Sequence, residues 1–200
     1  MSHTAPPWLS AELTPAPNAP QVVASPRDAA TGPTGPQPGV VNAPSRPRGQ
    51  AYVGGWAPLW FMGVTGGAGE SALAALDESW RAAGAWWPMP GRPVSDHDAY
   101  RVVLVARTNV AGLTAAQHAA TEWAAGVVPG VQVVGLALVA DAPGRLPRAL
   151  RDLANVVAGG VARTWWVPWL ETWRMDVHPP LDALPRNVRA MVADLHDLTR

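Results

Sequence analysis

Beyond Pro58, short apolar runs alternate with amphipathic stretches, and this alternation restricts the fold more than any other feature of the 200-residue chain. Apolar runs too short for helices, each followed by a stretch with helical spacing, predict βα units whose strands pair in parallel and are covered on both faces. Residues 59–64 read as a buried strand, 66–69 as a tight turn, and 71–83 as a helix with Leu73, Leu76 and Trp80 inward. A second strand is expected over 101–106, followed by a helix opened by a capping box at Thr114-Ala115-Ala116-Gln117 and stopped at Gly126. A third strand spans 131–139. Pro147 starts a helix that Gly159-Gly160 ends, and Thr164–Val167 forms a strand that Pro168 terminates. Val188, Met191, Val192, Leu195 and Leu198 recur at helical spacing in a closing helix that faces the core. Residues 86–91 read as a loop beside the first helix, since their prolines permit at most a short edge strand. The expected fold is α/β: a small, three-layer, doubly wound domain with a mainly parallel sheet.

That domain is assigned to residues 53–200. Residues 1–52 hold half of the proline, show no periodicity that could bury a face, and predict a disordered Pro-rich tail, either a linker or a docking segment anchored by Trp8 and Leu9. A hydrophobic content of 48% with 11 Trp suffices to cover a sheet on both sides. The beginning of the chain has neither the basic region nor the apolar run of a signal peptide, and residues 131–140, the longest apolar stretch, are too short to span a bilayer. The expected protein has no membrane span and a cytoplasmic location. A net charge of zero supplies no general attraction to nucleic acid, so direct nucleic-acid binding is not expected. The absence of Cys excludes disulfides, thiolate nucleophiles and cysteine zinc sites, and the absence of Lys leaves Arg as the only permanent side-chain cation.

The run Gly63-Val64-Thr65-Gly66-Gly67-Ala68-Gly69-Glu70-Ser71 follows an apolar strand and opens a helix, the setting that a phosphate-binding loop requires. Gly66, Gly67 and Gly69 allow positive φ and close approach, so successive N–H groups around Ala68 could form an anion nest, with Ser71 facing a metal ion.

The stretch resembles the deviant Walker A loop of the ParA/MinD group of P-loop ATPases, with both lysine positions changed. Thr65 stands at the signature lysine, and Glu70 at the lysine that would meet the terminal phosphates. Residues 100–108 followed by Gly112-Leu113-Thr114-Ala115-Ala116 are similar to the group's strand and helix beyond the Walker B segment. Residues 135–141 are similar to its later strand, with Asp141 near the base, and Val167-Pro168 to the strand and proline beyond it. The Walker B aspartate has no counterpart; Asp96 and Asp98 precede a strand instead of ending one. The resemblance implies a P-loop-like fold, binding of ATP or another nucleotide with Mg²⁺ through residues 65–71, and a homodimer or another protein partner.

Exchanging lysine for glutamate at 70 turns attraction into repulsion. At about 4 Å and an effective dielectric near 20 a unit charge pair is worth roughly 4 kcal/mol. A swing of that order weakens triphosphate affinity by a few hundredfold and removes stabilisation of a migrating phosphoryl group. The expected protein is a degenerate, non-hydrolysing member that binds nucleotide weakly or not at all and acts as an interaction module. Three alternatives stand beside it: Arg107, at a strand end, replaces the lost charge; Glu70 and Ser71 hold Mg²⁺; or a partner subunit completes the site in trans and restores an ATPase. A glycine turn kept only for the strand-to-helix connection is the purely structural reading.

Elsewhere the signals are weaker. His3, His97, His118, His178 and His196 are scattered, without metal-like spacing. Trp165 and Trp166 should face opposite sides of a strand, while Trp169 and Trp173 fall beyond it and could form an aromatic patch or a base-stacking wall.

Overall fold

The computed structural model describes residues 30–41, 48–89, 99–175 and 179–200. Trp8, Leu9, Asp96, Asp98, His3, His97 and His178 lie outside them. Five strands, β2 (Trp60–Gly63), β3 (Arg81–Gly84), β5 (Tyr100–Arg107), β6 (Val131–Val139) and β7 (Thr164–Val167), form one sheet in the order β3-β2-β5-β6-β7, every pairing parallel. Counting only these five, the order is 2-1-3-4-5, one of the common doubly wound orders. The direction of winding reverses between β2 and β5, so the switch point lies at their carboxyl ends.

Helices α2 (Val110–Ala124) and α3 (Arg148–Ala158) cover one face of the sheet, where Leu113, Ala116, Trp123, Ala154 and Val157 meet Met62, Val102, Leu104, Leu136 and Leu138. Helices α1 (Glu70–Ala74) and α5 (Arg186–Thr199) cover the other, where Leu73, Val188, Met191 and Leu195 meet Phe61, Val103, Val105 and Ala137. Residues of β5 alternate between the two clusters, as the pleat requires. The stripe Val188, Met191, Val192 and Leu195 of α5 is almost wholly buried, each side chain contributing roughly 1.5–3 kcal/mol. The α/β class, the parallel sheet and the helical layers agree with the sequence expectation. Among the described residues no helix is long and apolar enough to cross a membrane.

Four elements depart from expectation. The helix expected over 71–83 stops after Ala74, because the Asp77 carboxylate accepts from Ser79 N–H at 2.8 Å and from Ser79 Oγ at 2.6 Å. Such a local side-chain turn competes with helical bonding. The chain then enters β3 beside β2, with Trp80 still buried, its ring tilted on Phe61 at 5.4 Å. Helix α2 begins at Asn109, not at Thr114: Asn109 Oδ1 accepts from Gly112 N–H at 2.8 Å and caps the helix a turn early.

The third departure lies at 86–91, where β4 (Trp87–Met89) pairs in parallel with β1 (Gln50–Tyr52). Trp87 N–H donates to Gly49 O and Val53 N–H to Met89 O, so Pro88 sits where the ladder uses no N–H from β4. This pair brings the fully buried Trp87 onto the α2–α3 face.

The last concerns only residues 30–41 and 48–52 of the Pro-rich segment, the expectation for 1–29 and 42–47 lying outside the described residues. Thr31 N–H and Oγ donate to Ala162 O, in the connection between α3 and β7, and Gln37 N–H donates to Ala124 O, at the end of α2, so residues 30–41 bond to the body of the domain. Arg48 N–H donates at 2.8 Å to Glu122 Oε1, while Trp87 Nε1 donates at 2.8 Å to Glu122 Oε2. Glu122 is 2% exposed and ties α2 to both flanking segments. Burial pulls the Arg48 guanidinium below its ordinary range, and the charge of Glu122 opposes that shift.

Candidate functional site

The glycine turn follows β2 and Arg107 ends β5, so the two strands flanking the switch point both deliver candidate residues there. Gly67 and Gly69 take φ of 69° and 107°, left-handed values that suit glycine; Gly66 is not among the positive-φ glycines of the described residues. Ala68 is fully buried with Leu73 and Val139, and pins the turn to the sheet. It is a core residue and does not face the crevice. Leu73 N–H closes the first helical bond on Gly69 O at 3.1 Å.

Glu70 occupies its own loop. Its Oε2 accepts from Gly69 N–H at 3.1 Å, and a Cβ added at Gly63 would lie 2.7 Å from that oxygen. The carboxylate therefore rests against the bare Cα of Gly63, using a backbone donor that an incoming anion would otherwise meet. Arg107 crosses from β5 to the turn, donating from Nε to Gly67 O at 3.1 Å and from Nη1 to Ala140 O at 2.9 Å. It thereby stitches the turn to the end of β6.

A crevice of about 460 Å³ opens at this edge. One wall is the turn and α1, with Gly67, Gly69, Glu70, Ser71, Ala72 and Ala75. The opposite wall comes from the segment after β7, including α4 (Glu171–Arg174), with Pro168, Trp169, Leu170, Trp173 and Arg174. Arg107, Val139 and Ala140 lie between them. The Arg174 guanidinium stacks 5.3 Å from the centre of the Trp169 ring, whose Nε1 donates to Glu171 Oε2 at 2.8 Å. Pro168 interrupts β7 and turns the chain over the strand ends, which is why residues distant in sequence from the glycine turn face it.

Of the residues singled out from sequence, Gly67, Gly69, Glu70, Ser71 and Arg107 line the crevice together, whereas Thr65, Gly66, Ala68 and Asp141 do not. Asp141 is exposed beyond β6, its N–H donating to Thr108 Oγ at 3.2 Å. Ser71 is exposed at the mouth, and among the described residues no group of three or more His, Asp or Glu could hold a metal ion. Trp165 is buried and Trp166 is 41% exposed, as strand alternation required. Trp169 and Trp173 are half-buried and face the turn across the crevice. Arg174 was missed; a cation five residues after Trp169, in the segment beyond Pro168, was the available signal.

His118 is exposed on α2. His196, unpartnered by its neighbours on α5, instead meets Asp77 Oδ2 at 2.9 Å on the turn before β3. The Ser79 hydroxyl above all holds the Asp77 carboxyl below the usual carboxylate range, with backbone and His196 contacts adding to it against the effect of burial. Both Ser79 and His196 address the same carboxylate, so the three do not form a nucleophile–base relay.

No curated protein and no solved structure matches the chain. Residues 57–192, from just before β2 into α5, match a family of unknown function, DUF6668, and the chain belongs to that family.

Proposed function

We propose that this domain is a non-hydrolysing binding module, P-loop-like in its glycine turn, whose switch-point crevice receives a weakly held nucleotide or a segment of a protein partner in the cytoplasm. One observation carries the reading: the Glu70 carboxylate takes the Gly69 N–H for itself. A triphosphate at this turn would have to displace a carboxylate from its donor and then lie beside its charge, with no lysine anywhere in the chain to compensate. The crevice opens at the carboxyl ends of the strands, where doubly wound folds bind ligands, and keeps an apolar wall suited to contact without chemistry.

Thermal unfolding of the full chain with and without Mg²⁺ and millimolar ATP, ADP or GTP, alongside phosphate release, tests this. Ligand at about 100 times its dissociation constant stabilises by roughly 2.7 kcal/mol, or about 5–10 °C in a domain this size. The wild type should give a smaller shift and no phosphate release. Glu70→Lys should raise the shift if the turn retains its capacity for phosphate. Phosphate release by the wild type alone would overturn the non-hydrolytic assignment.

A further inference from the structure

The crevice is electrically lopsided. Two guanidinium groups, Arg107 and Arg174, line it, and among the described residues neither has a carboxylate within ion-pair distance. Arg107 spends Nε and Nη1 on backbone carbonyls, which fix the group but do not neutralise it. Arg174 rests on the Trp169 ring, and Glu171, the nearest acid along α4, is taken up by the Trp169 indole N–H. The single acidic side chain of the lining, Glu70, lies against the turn. Arg174 therefore stands on the aromatic wall of Trp169 and Trp173, Arg107 lies between the two walls, and Glu70 lies on the side of the turn.

We propose that the crevice takes a small organic anion, one flat ring system bearing a single phosphate or carboxylate, with the anion at Arg107 and Arg174 and the ring against the Trp169–Trp173 wall. This rests on the reading of the crevice as a binding site and deepens it by naming the ligand class. Arginine suits this task because its planar fork meets phosphate or carboxylate through paired charge-assisted hydrogen bonds, while indole faces accept flat rings. The placement differs from that of a phosphate-binding loop: the anion meets the two guanidinium groups and not the N–H groups of the turn, one of which Glu70 already holds. One or two negative charges match two guanidinium groups, whereas further phosphates extend toward Glu70. Binding by this arrangement needs no Mg²⁺.

The test is calorimetric titration of the full chain with AMP, indole-3-acetate, inorganic phosphate, and ATP with Mg²⁺. AMP, indole-3-acetate or both should bind without Mg²⁺, and more tightly than either inorganic phosphate or Mg·ATP; which of the two binds separates a phosphate source from a carboxylate source. Arg174→Gln, at an exposed position, should weaken that binding by about tenfold, the worth of one charge-assisted contact, and leave the unfolding midpoint of the free protein unchanged. Arg107→Gln should weaken it at least as much; Arg174→Gln keeps the proposal testable if Arg107→Gln loosens the turn. Failure of both ring-bearing anions to bind at millimolar concentration, equal affinity of inorganic phosphate, tighter binding of Mg·ATP, or an unaffected Arg174→Gln would each overturn the assignment. These outcomes leave phosphate release and the response to Glu70→Lys untouched, so the non-hydrolytic reading stands or falls separately.

Discussion

Replacing Glu122 with Ala should be among the most damaging single changes in the domain, although the residue is remote from the crevice. Its carboxylate is 2% exposed and accepts 2.8 Å hydrogen bonds from the Arg48 N–H and the Trp87 indole. Hydrogen bonds to a charged group contribute roughly 1.5–3 kcal/mol each. Alanine would strand the Trp87 Nε1 donor in the core and leave the half-buried Arg48 guanidinium without its counter-charge. Breaking a buried charged contact by removing one partner typically costs about 3–5 kcal/mol, so a loss of that size is expected. In a domain this large each kcal/mol moves the midpoint by about 2–4 °C, giving a fall on the order of 10 °C. Glu122→Gln retains one acceptor oxygen and should lose roughly half as much. Urea unfolding and thermal melts of the full chain measure both. If Glu122→Ala unfolds within about 1 kcal/mol of the parent, the bonds from Arg48 and Trp87 do not organise this face, and the docking of β1 and β4 must have another cause.

Two further outcomes follow from side-chain geometry. Gly63→Ala should push the Glu70 carboxylate off the Gly69 N–H, at a cost of about 1 kcal/mol, and that cost should shrink in a Glu70→Ala background, where the Thr65 carbonyl at 3.1 Å is the close contact that remains; equal costs in both backgrounds would place the clash elsewhere, and a double-mutant cycle in urea reads the difference. Asp77→Asn should reduce stability near neutral pH. Because the folded carboxyl titrates below its unfolded value of about 3.9, the wild-type advantage is complete above that value and disappears as pH falls through the lower folded one. Melts from pH 7 to pH 2.5 should therefore converge at the acid end, and a gap that persisted there would mean that the Ser79 and His196 contacts are not what stabilises the ionised form.

Much of the architecture was legible because it is written locally. Strands β6 and β7 coincide with the residues expected, since apolar runs there are cut by Gly130 and Pro168, and the stripe on α5 needed only helical spacing. Leu73 and Trp80 were correctly turned inward even though no helix joins them, because both positions face the same layer whether reached by helix or by turn and strand. What local pattern could not convey was pairing at a distance. Asp77 and His196 meet across 119 residues, Glu122 and Arg48 across 74, and β1 finds β4 through backbone bonds to which side-chain periodicity contributes nothing. At the crevice, glycine spacing located the turn, and Pro168 marked the end of β7, but that the residues beyond it face the turn depends on pairing at a distance. The fold of Glu70 back onto its own loop depends on the space left by Gly63, which no spacing rule anticipates.

The parallel pair β1–β4 has a consequence for where the chain can be cut. The family match begins at residue 57, yet Gln50–Tyr52, Arg48 and the 30–41 segment all lie before it. A fragment trimmed to the match would lose a strand, a partner of Glu122 and the donors that meet the Ala124 and Ala162 carbonyls. Among the described residues, bonding into the domain therefore starts at Thr31, well before the stretch of recognisable similarity, inside a region whose composition alone would mark it as expendable.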